Sequence, residues 1–188
     1  MINTKTKIMK KLLLLLLCVP MFGFGQTKLD LLIFKKVNEY RIENGLSAWM
    51  WDDKVFVIAE KHNTYQVKIS DWSHEELQDV ENHIEVSRLG SRFDSVGLKW
   101  WNTGENVAVV NSLDLSLEEI ATKTLDMWIN SPPHHKTLLS KKYKAGALSS
   151  HRSTEWVKSR YAHNNSWVYV TLNIYNDSMN KRNRKKRK

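Results

Sequence analysis

The chain has 188 residues, 29 of them Lys or Arg and 20 Asp or Glu, for a formal net charge of +9. A hydrophobic content of 41% and eight tryptophans exclude a disordered chain and a polytopic membrane protein. The basic excess does not argue for a nucleic-acid fold: residues 1–25 hold four lysines and no acid, residues 181–188 hold seven Lys/Arg, and residues 26–180 carry 18 basic against 20 acidic side chains.

The front end reads as a signal peptide. Lys5, Lys7, Lys10 and Lys11 precede the short apolar run Leu12–Val19, Pro20 breaks it, and Gly23-Phe24-Gly25 supplies small residues for a cut. The run is too short to span a bilayer comfortably. Cleavage is expected near Gly25, which places the protein in the periplasm or outside the cell. The only cysteine, Cys18, leaves with the leader, so the remaining 163 residues have no disulfide, thiolate nucleophile or cysteine-based zinc site. One domain over 26–178 and a basic tail over 179–188 are expected.

Residues 28–44 read as a helix with Leu29, Ile33, Val37 and Tyr40 in one stripe and Gly45 as a stop. Asp52 or Asp53 caps a second helix that runs to about Ile69, with His62 on or beside its buried face as a hydrogen-bonded core residue. Residues 74–97 are mixed. Residues 98–115 lack a sustained period and read as loop. Ser116 and Glu119 form a capping box for a helix that ends near Asn130, before Pro132-Pro133. Strands are expected at 145–149, 156–161 and 167–175, with His163–Ser166 as a hairpin turn. The last strand alternates Val168, Val170, Leu172 and Ile174 against Trp167, Tyr169, Thr171, Asn173 and Tyr175. Neither face is charged, so both are expected to be covered, as in a central strand. Helices first and strands last indicate α+β.

No G-x-S-x-G, Walker loop, G-x-G-x-x-G or H-E-x-x-H occurs, so serine hydrolase, nucleotide enzyme and helix-borne zinc protease are unsupported. His74, His134 and His135 stand beside turn signals, and Glu105 lies in Gly104-Glu105-Asn106 after a tryptophan-rich stretch. Imidazoles with one carboxylate form a workable ligand set for Zn²⁺ with an open position, though the spacings alone identify nothing. Trp51 and Trp128 are placed at helix positions and assigned to packing, and at least one of the adjacent Trp100 and Trp101 is expected to face solvent or a cleft.

An ordered series of short motifs resembles one family. It runs from Asn38-Glu39-Tyr40-Arg41 through Asn44-Gly45-Leu46 and Trp51-Asp52 to Val55, Ala59 and His62. Trp72-Ser73-His74, Arg92 to Gly97, and Gly104-Glu105-Asn106-Val107-Ala108 come next, then Trp128 to His134, Gly146 and Tyr169-Val170-Thr171. Over roughly residues 30–176 the chain resembles the CAP superfamily (cysteine-rich secretory proteins, antigen 5 and pathogenesis-related proteins) in its bacterial SCP-like form. The resemblance implies a three-layer α-β-α sandwich with a central antiparallel sheet. It also implies a pocket at His74, Glu105 and His134 able to take Zn²⁺ or another divalent cation, not needed for folding. His135, Tyr169 and Asn106 are further candidates for its lining. This chain departs from the family pattern at Ser131, where some members have a second glutamate, and at Pro133 and His135, which replace glycine and arginine.

Two functions are compatible with this pattern. One is a non-catalytic module binding a small molecule or lipid, or an envelope partner, in the groove. The other is a metal-dependent hydrolase using the same pocket, with Glu105 as ligand or proton acceptor. The missing second carboxylate favours binding. A third arrangement makes the residues purely structural, with Glu105 accepting backbone amides and the histidines bonded across the groove. The basic tail is expected to hold an anionic cell-surface polymer non-specifically, with no specific nucleic acid.

Overall fold

A computed structural model describes residues 25–76, 88–99, 102–153 and 166–176. The expected leader, the strand at 156–161, most of the hairpin turn, Trp100, Trp101 and the basic tail lie outside these residues. Among the described residues, no helix is long and apolar enough to cross a membrane.

Helix α1 (Lys28–Glu43) starts at a reciprocal capping box, in which Asp30 N–H donates to Thr27 Oγ1 and Thr27 N–H to Asp30 Oδ2. Strand β1 (Met50–Trp51) leads into α2 (Asp53–Ile69), whose N-cap is Asp52 and whose last turn closes on Ser70 in the left-handed region. A short α3 (Leu89–Ser95) and strand β2 (Thr103–Asn111) come next. Helix α4 (Leu117–Ile129) begins at the Ser116–Glu119 capping box, as expected, and is capped at its end by Asn130. Helix α5 (Pro132–Leu138), β3 (Ala145–Ser153) and β4 (Trp167–Tyr175) complete the chain.

The sheet order is β1-β3-β4-β2, with β1 parallel to β3 and both other pairings antiparallel. β4 is central, as its two covered faces required. On one side Val168, Val170, Leu172 and Ile174 join Leu148, Ala108 and Val110 against α1, α4 and α5. On the other, α2 and α3 lay Val55, Phe56, Ile58 and Phe93 over Ala145, Ala147 and Tyr175. This is an α-β-α sandwich. On the α2 side of β4, Thr171 pairs with helix α2. Thr171 Oγ1 donates to Asn63 Oδ1 at 2.6 Å, and Gln66 Nε2 donates to Thr171 Oγ1 at 3.0 Å. Gly146 permits β3 to approach β4, because a Cβ there would collide with the Asn173 carbonyl.

Three expectations change. Residues 103–111 are a nine-residue strand and not loop. His134 and His135 sit on a helix, because Pro132-Pro133 end α4 and also open α5, where the missing amide hydrogens cost nothing. Trp51 lies on β1 and not a helix, and packs on Phe34 and Phe56.

Candidate functional site

β2 is a sheet edge, and three elements converge on it. The segment after α2 brings Trp72, Ser73 and His74 from one helical layer. Helices α4 and α5 bring Met127, Ser131 and His134 from the other. Between them lies a groove of about 610 Å³, floored by Val107, Ala108 and Val109 and lined as well by Trp167.

Glu105 anchors the polar end. Its carboxylate is buried, and Oε1 accepts from His74 Nδ1 at 2.9 Å and from Arg92 NH2 at 3.2 Å. Arg92 NH1 stands 2.9 Å from Oε2 without hydrogen-bond alignment, so that contact is an ion pair by charge and not by direction. Arg92 is itself 1% exposed, and its NH2 also donates to the His74 carbonyl at 2.9 Å. One guanidinium therefore fixes both the backbone of His74 and the carboxylate that holds its ring. Behind this, the buried His62 stands 3.0 Å from Glu76 Oε1 and 2.7 Å from the Ser73 carbonyl, which locks the same segment to α2. His62 is thus the hydrogen-bonded core histidine expected from its position.

The electrostatics separate the two groove histidines. The hydrogen bond to Glu105 raises the pKa of His74 against the effect of burial. Burial, with the charge of His74 6.2 Å away ring to ring, lowers that of His134. Burial pushes the Glu105 carboxyl up, but the His74 hydrogen bond and the Arg92 charge outweigh it and hold the group below its ordinary 4.5. Between the two histidine midpoints, a cationic His74 therefore faces a neutral His134.

The stabilising effect of the His74–Glu105 pair is fully present below pH 6.5, the ordinary histidine value. It fades as pH rises through the raised value of folded His74. Glu105 acts oppositely: its contribution is present above 4.5 and is lost as pH falls through its lowered value. In an NMR titration of the imidazole resonances, His74 is expected to titrate above 6.5 and His134 below it, with Glu105→Gln removing most of the His74 displacement. Coincident midpoints would contradict the arrangement.

His74, Glu105 and His134 are thus brought together, but not as three ligands of one ion. Both Glu105 oxygens already face nitrogens of the buried Arg92, and Oε1 also accepts from His74. A metal bound there would have to displace Arg92 or share the carboxylate with it. Among the described residues, no group of three or more His, Asp or Glu side chains is placed to hold a metal ion. The three-ligand expectation does not fit this geometry. Nor, among the described residues, does Glu105 accept backbone amides in place of a ligand.

The other expected lining residues lie elsewhere. His135 Nε2 is 2.7 Å from Tyr40 Oη, facing α1. Tyr169 is buried on the α2 side, its hydroxyl pKa raised by burial and by the charge of Asp71. Asn106 is buried behind the groove, where its Nδ2 donates to the His134 carbonyl at 3.1 Å and so positions that turn of α5. Spacing revealed neither Arg92, which meets its partners across 13 and 18 residues, nor the apolar walls Trp72, Met127 and Trp167.

Similar folds occur in three solved bacterial proteins. An extracellular protein containing an SCP domain from Bacillus anthracis matches with TM-score 0.56 and 19% identity, over 79% of this chain and 40% of that one. An outer surface protein of Borrelia burgdorferi matches with TM-score 0.54 and 16% identity, over 80% and 96%. A cysteine-rich secretory protein of Staphylococcus aureus matches with TM-score 0.50 and 17% identity, over 81% and 40%. The chain thus spans less than half of the Bacillus and Staphylococcus proteins. No curated protein sequence matches. The model of the cysteine-rich secretory protein family (CAP) matches residues 34–174, three-quarters of the chain, and spans every residue that lines the groove. The chain belongs to the cysteine-rich secretory protein (CAP) family.

Proposed function

We propose that this chain is a secreted, non-catalytic binding module whose ligand lies in the groove along β2, beside His74 and His134. The observation that carries this reading is the commitment of Glu105. A carboxylate held by Arg92 and His74 is neither a vacant metal ligand nor a free general base, and a metal-dependent hydrolase would need it as one or the other. Beside the exposed His74, the groove opens two large apolar side chains to solvent: Trp72 is 56% and Met127 45% exposed, on opposite walls of the groove. Secretion is supported by the leader pattern at residues 1–25 and by the extracellular and outer-surface placement stated for the Bacillus and Borrelia proteins. The run Lys181–Lys188 would add a non-specific, salt-sensitive hold on anionic surface polymer.

The test is fluorescence titration with anilinonaphthalene sulfonate, an apolar anionic probe. Wild type is expected to bind it, and Trp72→Ser with Met127→Ser to bind about tenfold more weakly, equivalent to about 1.4 kcal/mol. Both side chains are exposed, so the fold should survive. Equal binding by wild type and the double variant would place the apolar site elsewhere. Hydrolysis of ester or peptide substrates that vanishes in Glu105→Gln would restore the enzyme reading.

A further inference from the structure

Accepting that the groove is the binding site, we infer that its occupant is an extended polypeptide that adds to the sheet as a fifth strand along β2. The register of the sheet carries this. Ser112 N–H donates to the Ser166 carbonyl and Asn176 N–H to the Asn102 carbonyl. These pairs continue the β2–β4 register at either end, so the even-numbered residues of β2 turn their backbone groups towards β4. The odd-numbered residues turn theirs outwards. Two outward carbonyls are already taken from within the fold: Thr103 accepts from Tyr143 Oη at 3.0 Å, and Val107 accepts from Trp128 Nε1 at 3.1 Å.

Among the described residues, no hydrogen bond reaches the N–H of Val107, or the N–H and C=O of Val109 and Asn111, from outside the sheet. These five groups recur every second residue over about 14 Å, at ~3.4 Å per residue. That is the donor and acceptor pattern another strand satisfies and an acyl chain does not. Sheet edges left open to solvent are ordinarily guarded by lysine, proline or brevity. The opposite edge, β1, has only two residues. β2 has nine, with neither lysine nor proline.

The walls define the partner further. Trp72 and Trp167 flank the edge on the α2 side, and Met127 stands with the polar Ser131 and His134 on the other, so alternate side chains of an added strand meet the two tryptophans and those between them meet a mixed surface. A strand with apolar residues at alternate positions fits. A second copy of this domain does not, because the edge lies between two helical layers that would meet the partner's own helices before the strands could pair.

The probes are capped hexapeptides alternating Val or Phe with Thr, and the same peptides N-methylated at alternate residues. Binding is followed by amide resonances of the mature protein. The plain peptides are expected to shift the Val107, Val109 and Asn111 amides and slow their hydrogen exchange at least tenfold, with Ala108 and Val110 little changed. N-methylation on the bonding edge is expected to weaken binding at least tenfold. Equal binding by methylated peptides, or binding that spares the odd-numbered amides, would overturn strand addition. So would failure of all peptides while anilinonaphthalene sulfonate still binds, which leaves the groove intact as a site for other ligands. Failure of both probes would overturn the groove reading itself. Concentration-dependent broadening of the same amides without peptide would make a second copy the occupant instead.

Discussion

Arg92→Leu is expected to lower the unfolding free energy by about 3–5 kcal/mol, read from the urea midpoint at constant m. Arg92 and the Glu105 carboxylate are both essentially inaccessible to water, so removing the cation leaves the buried anion with the His74 hydrogen bond in place of two charged contacts. The substitution also frees the His74 carbonyl of its donor. The intact pair is not thereby a large net stabiliser, because desolvating two charges offsets most of their attraction. The double variant Arg92→Leu/Glu105→Leu should accordingly cost clearly less than the sum of its single variants. Additive costs would show the two side chains to be uncoupled. What the pair provides is position. It holds the carboxylate that bonds His74, while its own charge opposes protonation of that ring, so the Arg92→Leu protein that keeps the His74–Glu105 hydrogen bond should titrate His74 higher and widen its separation from His134.

The helices that build the scaffold were readable because their signals are local. Ser116 with Glu119, Asp52 before the apolar stripe of α2, and the clean alternation of β4 each lie within a few residues of chain. β2 was hidden by its buried polar residues. Trp100-Trp101, Gly104 and the polar pair Glu105-Asn106 look like loop, yet both polar residues are buried, one held by Arg92 and His74 and the other by the His134 turn. The run Val107–Val110 was the available strand signal, and it was outweighed. Pro132-Pro133 marked the end of α4 correctly, but the same residues begin α5, a use of proline that depends on the residues after it. His74, Glu105 and His134 could be grouped only through the family pattern. Their mutual role could not be read at all, because the deciding partner, Arg92, reaches them through the tertiary fold. A carboxylate between two histidines reads as a metal ligand until the guanidinium behind it is seen.

Trp128→Ala should be at least as destructive as the loss of Arg92, by about 3–5 kcal/mol, with a fall in thermal midpoint to match. Trp128 is fully buried and links three things at once. Its ring fills the core among α1, α4 and β4, and its Nε1 donates to the Val107 carbonyl at 3.1 Å. It also precedes the Asn130–Pro133 turn that sets the direction of α5. Trp128→Phe separates these roles. It keeps most of the ring volume but leaves the Val107 carbonyl without its donor, at about 1–3 kcal/mol. If β2 is a docking edge, the same change exposes one more acceptor on it, beside the Val107 N–H. Trp128→Phe should therefore lose stability yet bind an extended peptide at least as tightly as wild type. A parallel loss of stability and of peptide affinity would mean that Trp128 holds the groove open chiefly by packing, with the hydrogen bond to β2 secondary.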